Sequence, residues 1–211
     1  HHEFTIGQLS RFDEVLTAVP ELPDDVVVHA ANSAAALAHV GARRQVLRAG
    51  IAMYGISPGS GVDDLVGDLR PALSLTAKVS FVKRVRAGTA ISYGLRHTFE
   101  RDTTVATIPI GYADGVPRRL SAVGGRVLVG GRRCPIVGVV TMDQLMVDVG
   151  DAHVEVGDDV VLIGRQGDEV VRAEDWATAL DTIGYEIVCG ISPRVPRVHV
   201  GGPGASSAES A

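Results

Sequence analysis

The sequence predicts two unlike pieces, an incomplete α/β piece followed by an all-β domain. Up to about residue 68, helical and strand-like runs alternate, which is typical of βα units. From residue 71 onward, short apolar runs separated by glycine-containing turns are typical of an antiparallel sandwich or barrel. The chain has 211 residues, 45% of them hydrophobic, enough for a substantial core. We therefore expect an α/β piece over residues 1–68, a β domain over residues 69–200 and a disordered tail over residues 201–211.

The α/β piece is predicted from periodicity and capping residues. Apolar residues recur at helical spacing over residues 5–19, with Thr5 as the expected N-cap. A β-branched run at residues 25–30 is typical of a buried parallel strand. Asn32 and Ser33 then open an Ala-rich stretch that predicts a second helix. About 70 residues cannot close an eight-unit barrel, which needs about 250, so we expect only part of a larger parallel barrel or doubly wound sheet.

The β domain is predicted from evenly spaced strand-like runs. One helix is expected within it at residues 173–180, where acidic residues in the first turn suit the helix dipole. The expected strands cover residues 73–85, 104–110, 126–129, 136–140, 145–149 and 160–163.

Composition excludes several classes of function. The net charge is −5 and no basic run is present, so nucleic acid is not an expected partner. No apolar run approaches the roughly 18 residues of a membrane span, and no His/Cys spacing suits a metal. Cys134 and Cys189 are expected to be free, buried thiols of a cytosolic protein, with a disulfide as the alternative. The start at His1 and His2 indicates a chain cut from a longer one or a tag remnant.

Near the predicted helix of the α/β piece, polar residues allow two interpretations. Asn32 and Ser33 suit a phosphate at a helix N-terminus, but the residues alone favour an ordinary N-cap. Gly50 and Ile51 offer two further backbone N–H donors after a presumed strand. Arg48 lies among apolar residues and needs a partner, which is either a structural carboxylate or a cofactor atom.

Two tyrosines lie at strand ends of the β domain. Tyr93 follows a strand and precedes a glycine, and it is a candidate general base where positive charge nearby favours the phenolate. The residues alone favour a packed aromatic ring. Tyr112 lies in the segment GYADG, which reads as a turn. From these patterns alone, the chain is a two-part α/β plus β fragment.

Eight segments, taken in order, resemble alanine racemase over about residues 5–199. They are HAANSAAAL, LRAGIAMYGISP, LRPALSLTAKV, AISYG, IPIGYADGVPRR, VVTMDQLMVDVG, LIGRQGDEV and TIGYEIVCGISPRVPR. The resemblance implies a cytoplasmic homodimer in which each subunit joins a (β/α)8 barrel that binds pyridoxal 5'-phosphate (PLP) to a C-terminal antiparallel β domain. It also implies interconversion of L- and D-alanine, which supplies D-alanine for peptidoglycan.

The resemblance implies a two-base mechanism, with a lysine on one face of the cofactor and a tyrosine on the other. Tyr93 matches the tyrosine, which acts in the active site of the opposite subunit. Arg48 matches the arginine that faces the pyridine nitrogen, and His29 matches the histidine that orients it. A guanidinium has no proton to give, so the cofactor becomes a weaker electron sink, which suits racemisation over transamination.

The remaining positions carried over from the family contact the cofactor phosphate or the substrate. The phosphate cradle matches Ser33, Gly50, Ile51 and Tyr185, with Asn32 beside it. Met142 matches a position whose backbone N–H contacts the substrate carboxylate from the other subunit. The positions lining the path of substrate entry match Tyr112, Arg118 and Ile183.

One requirement of the family is missing from this sequence. The Schiff-base lysine belongs near the start of the family's chain, in a motif absent here, and the lysines present are Lys78 and Lys83 in the predicted β domain. We therefore expect this chain alone to be inactive, and the first half of the barrel to belong to a longer chain or a partner.

The sequence also allows three other functions. A serine racemase or a racemase of broad specificity would keep the fold, because part of the substrate pocket lies outside this sequence. A non-catalytic fragment that dimerises through its β domain gains support from the missing lysine. A PLP-dependent decarboxylase of the same architecture is a weaker alternative, since AISYG and GYADG fit a racemase better.

Overall fold

The computed structural model describes residues 2–19, 21–39, 42, 44–67 and 69–201. His1 and all but the first residue of the predicted tail at residues 201–211 lie outside the described residues. The first piece consists of α1 (His2–Ala18), β1 (His29–Asn32), α2 (Ser33–Ala38) and β2 (Val46–Arg48). Strands β1 and β2 pair in parallel, which confirms the arrangement expected for a βα unit.

Two boundaries in the first piece differ from the prediction. Helix α1 begins at His2, so Thr5 lies inside its first turn and is not its N-cap. Strand β1 begins only at His29, because Asp24 and Asp25 form a turn in which the Val26 N–H donates to Pro23 O at 3.0 Å. All three β-branched residues of the run, Val26, Val27 and Val28, therefore precede the strand.

Helix α1 packs against the rest of the first piece through one side, whose residues are half-buried. Leu9, Phe12 and Leu16 form that side, as the helical periodicity predicted, whereas Ile6 and Val19, expected on the same side, are exposed. The guanidinium of Arg44 lies 6.0 Å from the centre of the Phe12 ring and forms an ion pair with Asp13. No residue of α1 is fully buried, so the helix contributes little to the core.

The second piece is a β domain with two short helices. Its strands are β3 (Leu75–Lys78), β4 (Phe81–Val85), β5 (Ala90–Ile91), β6 (His97–Thr98), β7 (Thr103–Ile108), β8 (Arg126–Val129), β9 (Arg132–Val137), β10 (Leu145–Gly150), β11 (Asp159–Gln166) and β12 (Glu169–Val171). Its helices are α3 (Ala173–Leu180) and α4 (Gly184–Cys189). The main sheet has the order β12-β11-β8-β9-β10-β7-β4, with β3 also paired to β11, and all its pairs are antiparallel.

The predicted single strand at residues 73–85 is two strands. Strand β3 pairs with β11, and β4 pairs with β7 at the other end of the sheet. The change of partner occurs at two adjacent residues: the Val79 N–H donates to Asp158 O and the Ser80 N–H donates to Thr107 O, each at 2.9 Å. The alternation of apolar residues continues through the break, so it could not reveal the change of neighbour.

The main core lies in the β domain and extends into the first piece. Leu128, Val147 and Leu162 are completely buried at its centre. Ile51 and Ile56, which follow β2, belong to the same cluster of buried side chains. The end of β2 is therefore anchored in the core of the β domain.

The two cysteines differ in exposure, which corrects part of the prediction. Both are free, but only Cys134 is buried, in β9; Cys189 is exposed at the end of α4, a helix rather than a strand. Burial raises the pKa of the Cys134 thiol. In the described part of the chain, no helix combines the length and the apolar character needed to cross a bilayer.

Candidate active site

The polar residues of the first piece meet where β1 and β2 carry His29 and Arg48. The Arg48 guanidinium lies 2.8 Å from His29 Nδ1. The partner observed for Arg48 is therefore a histidine and not a structural carboxylate. None of the described carboxylates lies within ion-pair distance of Arg48, which is exposed. The histidine therefore fixes the guanidinium without neutralising its charge.

Beside this pair, the turn after β2 folds over the start of α2. The buried Ser33 hydroxyl accepts the Gly50 N–H at 2.9 Å and the Ala52 N–H at 3.4 Å. Asn32 is the N-cap of α2, because its Oδ1 accepts the Ala35 N–H at 3.0 Å. The structure thus brings Ser33, Gly50 and Ile51 together at one end of the two strands.

The backbone at Gly50 is open on one side. A Cβ built at this position would meet only the Ser33 hydroxyl, at 3.9 Å. Asn32 and Arg48 also line a cleft of about 680 Å³ that lies between the strand ends and α1. This end of the sheet therefore has a cation, exposed backbone and space for a ligand.

Tyr93 lies in the β domain, directly after Ser92, whose hydrogen bonds fix the backbone there. Its side chain is 74% exposed, so the packed ring favoured by the residues alone is not observed. Ser92 has a φ of +70°, in a region that residues other than glycine rarely adopt. The Ser92 hydroxyl accepts the Val139 N–H at 2.9 Å and donates to Val139 O at 3.4 Å. This role of Ser92 could not be predicted from the sequence, because a serine gives no sequence signal for a positive φ.

Tyr112 and Met142 lie in two loops that contact each other. The Tyr112 N–H donates to Thr141 O at 2.9 Å, and the Ala113 N–H donates to Met142 O at 3.0 Å. The side chains of Tyr112 and Met142 are both exposed. The predicted residues of these loops are therefore neighbours, as a joint role in one site requires.

The other predicted positions lie around α4 and on a nearby loop. Ile183 and Tyr185 line a cavity of about 330 Å³ whose opposite side is formed by residues 57–60. Arg118 is exposed, a few residues after Tyr112. No hydrogen bond or ion pair among the described residues joins Tyr93 to Arg48. The predicted site residues therefore fall into separate groups within one copy of the chain.

The two lysines lie away from the ends of β1 and β2. Lys78 is on β3 and pairs with Asp159 at 2.8 Å, and Lys83 is on β4. Both belong to the β domain, as predicted. Among the residues that the structure describes, no group of three His, Cys, Asp or Glu side chains could hold a metal ion.

The fold and these polar groups define a two-part protein: βα units with an arginine at the strand ends, followed by an antiparallel β domain that presents a tyrosine. Family models match both parts. Residues 1–58 match the alanine racemase N-terminal domain, and residues 72–199 match the alanine racemase C-terminal domain. The chain belongs to the alanine racemase family. Its first piece is part of the family's barrel, and its second is the family's C-terminal β domain.

Relatives and solved structures agree with this assignment. The chain is 50% identical to the alanine racemase of Symbiobacterium thermophilum over 94% of its own length and 52% of the relative. It is 47% identical to that of Thermobifida fusca, covering 93% and 52%. The alanine racemase structure from E. faecalis matches with a TM-score of 0.86 and 42% identity, covering 93% and 52%. The chain thus spans about half the length of these relatives.

Proposed function

We propose that this chain is the C-terminal part of a PLP-dependent enzyme that interconverts L-alanine and D-alanine. Membership of the alanine racemase family supports the reaction. A related structure, the alanine racemase of Bacillus anthracis with bound L-Ala-P, is 45% identical, has a TM-score of 0.81, and matches over 93% of this chain and 49% of its own. That ligand's name supports alanine as the substrate here.

The pair of Arg48 and His29 is the observation that carries the proposal. The guanidinium is fixed at 2.8 Å from the imidazole and keeps its positive charge available for a ligand. An arginine remains protonated, so it donates a hydrogen bond to a pyridine nitrogen without giving it a proton. A carboxylate at that position would instead keep the nitrogen protonated. The pair therefore suits a reaction in which a proton is removed and promptly returned.

The turn after β2 fits the phosphate of PLP. Ser33 is held by the Gly50 N–H at 2.9 Å and retains its own hydroxyl proton to donate. The absence of a side chain at Gly50 lets an anion approach the backbone, where Ile51 begins a helical turn whose first N–H groups have no partner within it. We assign Tyr185 and Asn32 to the same cradle. When bound, PLP makes the α-proton of an amino acid acidic.

Tyr93 is assigned as the base on one face, with a lysine outside this chain as the base on the other. Its phenol is exposed and its backbone is fixed by Ser92, as a group that reaches another surface requires. We assign the Tyr93 of one subunit to the site formed around Arg48 of the other, in a homodimer. Met142 would then contact the substrate carboxylate, while Tyr112, Arg118 and Ile183 line the entrance.

The proposal includes the cellular setting that the family implies. The enzyme would act in the cytoplasm, and its D-alanine would supply the synthesis of peptidoglycan. This setting is supported by the family assignment of both parts of the chain.

The experiment is a racemisation assay on the full-length protein that contains this chain, with L- and D-alanine in deuterated water. The expected result is interconversion of the enantiomers, with PLP detected by its visible absorbance. Tyr93→Phe removes only the phenolic oxygen and should lower racemisation by roughly 10²–10⁴-fold, the usual contribution of a general base. Because the lysine remains, the variant should still exchange the α-proton of one enantiomer for deuterium.

Controls distinguish a missing base from a damaged fold. Tyr54→Phe changes another exposed tyrosine and should leave the rate unchanged. Racemisation by Tyr93→Phe at the normal rate would exclude Tyr93 as a base. A kcat/KM higher for serine than for alanine would contradict alanine as the substrate. The 211-residue chain alone, which has only Lys78 and Lys83, should not racemise alanine even with added PLP.

A further inference from the structure

Two loops of the β domain are joined backbone to backbone. We name residues 111–115 the first loop and residues 141–144 the second loop. At Gly111, a Cβ would lie 2.3 Å from Thr141 O and 2.4 Å from Met142 O, so only glycine allows the contact. The first loop carries Tyr112 and the second carries Met142. Their relative position therefore determines how these two residues face a ligand.

A single arginine bridges carboxylates from both loops. Arg194 Nε lies 3.3 Å from Asp114 Oδ1 in the first loop, and Arg194 Nη2 lies 2.7 Å from Asp143 Oδ1 in the second. Asp114 is buried, and its other oxygen accepts the Gly111 N–H at 2.9 Å. The hydrogen bond to Asp143, together with the charge of Asp114, raises the pKa of the Arg194 guanidinium. Without this cation, Asp114 would keep a buried charge with one partner fewer.

The backbone around Arg194 is itself fixed against the first loop. The Ser192 N–H donates to Asp114 O at 3.0 Å, and the Arg194 N–H donates to the Ser192 hydroxyl at 3.1 Å. The Arg197 guanidinium also donates to three carbonyl oxygens of this segment, those of Ile191, Ser192 and Val195. The segment directly follows α4, which carries Tyr185. Arg194 therefore extends from a fixed support, not from a free tail.

We propose that Arg194 is a positioning residue that holds the first and second loops in register, and with them Tyr112 and Met142. The planar guanidinium presents donors in two directions, which one ammonium group cannot match with the same geometry. The inference rests on the proposed function only for what the two loops do, since the bridge itself is made of residues in this chain. Arg194 acts through Asp114 and Asp143 and does not itself contact the substrate.

Hydrogen–deuterium exchange of the full-length protein tests the bridge directly. In Arg194→Gln, the Tyr112 and Ala113 amides, whose hydrogen bonds join the loops, should exchange about tenfold faster, because the buried carboxylate loses a charged partner. Amides in the centre of β10 should be unaffected. The matched control is Arg84→Gln, which removes another arginine–aspartate pair, to Asp151 at 2.6 Å. Unchanged exchange at Tyr112 and Ala113 in Arg194→Gln would overturn the proposal, as would equal acceleration throughout the sheet.

Kinetics tests the consequence for the reaction. Arg194→Gln should raise KM for alanine and lower kcat, whereas Arg84→Gln should change neither. Arg194→Lys, which keeps the charge, should recover part of the loss. If the wild-type protein does not racemise alanine, the proposed function fails while exchange still decides the bridge. If the wild-type protein racemises alanine, normal kcat and KM in Arg194→Gln would refute the positioning role.

Discussion

Ser92 combines an unfavourable backbone conformation with two hydrogen bonds to the backbone of one residue, Val139. Its φ of +70° is paired with a ψ of 174°, a combination suited to glycine. A Cβ at the neighbouring Gly138 would lie 2.6 Å from the Ser92 Cβ, so the two chains are in close contact. The hydroxyl thus holds a conformation that the serine would not adopt alone, directly before Tyr93.

Substitutions at Ser92 should separate the hydroxyl from the backbone strain. Ser92→Ala loses both hydrogen bonds but keeps the strain, and should lower the free energy of unfolding by about 1–2 kcal/mol. Ser92→Gly also loses the bonds but relieves the strain, so it should be less destabilised than the alanine variant. Denaturant unfolding measures both. Equal stability of the two variants would show that the strain is no larger than the extra conformational entropy that glycine loses on folding.

For single residues, the sequence indicated candidate site residues better than it indicated the groups that they contact. Resemblance to a family identified His29 and Arg48, and the structure places them 2.8 Å apart. It could not identify Ser92, because a positive φ is expected at glycine and a serine gives no sign of it. Arg194 was missed for another reason. Its carboxylate partners lie about 50 and 80 residues earlier in the chain, beyond the range of any local pattern.

Gly111 controls the contact between the two loops at the scale of structural elements. Gly111→Ala would place a Cβ 2.3 Å from a backbone oxygen that cannot rotate away. We expect the loops to separate, with a loss of about 2–3 kcal/mol in the free energy of unfolding. Gly61→Ala is the matched control, since nothing lies within 4 Å of its added Cβ. A Gly111→Ala protein as stable as Gly61→Ala would disprove the close packing of the loops.

Elements were predictable where a local pattern sufficed. The predicted bounds of β8 and α3 are those of the structure, because turn glycines and a change of periodicity mark them. The break between β3 and β4 was not predictable, since it depends on which distant strand each half pairs with. A strand before Tyr93 was expected, but its bounds, those of β5, were not. Strands β6 and β12 and helix α4 were missed because they have two to six residues each, too few for a periodicity.

Across the whole molecule, burial is unequal, so stability should be unequal too. Helix α1 has no buried residue, whereas Val147 of β10 and Ala106 and Ile108 of β7 are completely buried. We expect amides of α1 to exchange with solvent roughly a hundredfold or more faster than those of β7 and β10 in this 211-residue chain. Hydrogen–deuterium exchange with mass spectrometry measures the difference. Equal protection would mean that α1 unfolds only together with the sheet.

The burial of Ile51 and Ile56 in the core of the β domain has a consequence for protein engineering. A chimera designed from the sequence alone would be joined near residue 68, where the composition changes. Such a junction would separate these isoleucines from the β-domain side chains that pack in the same cluster, and would disturb Gly50, which directly precedes Ile51. A graft that carries the β domain into another scaffold should therefore bring the strand-end turn with it. The segment to transfer therefore begins before Gly50.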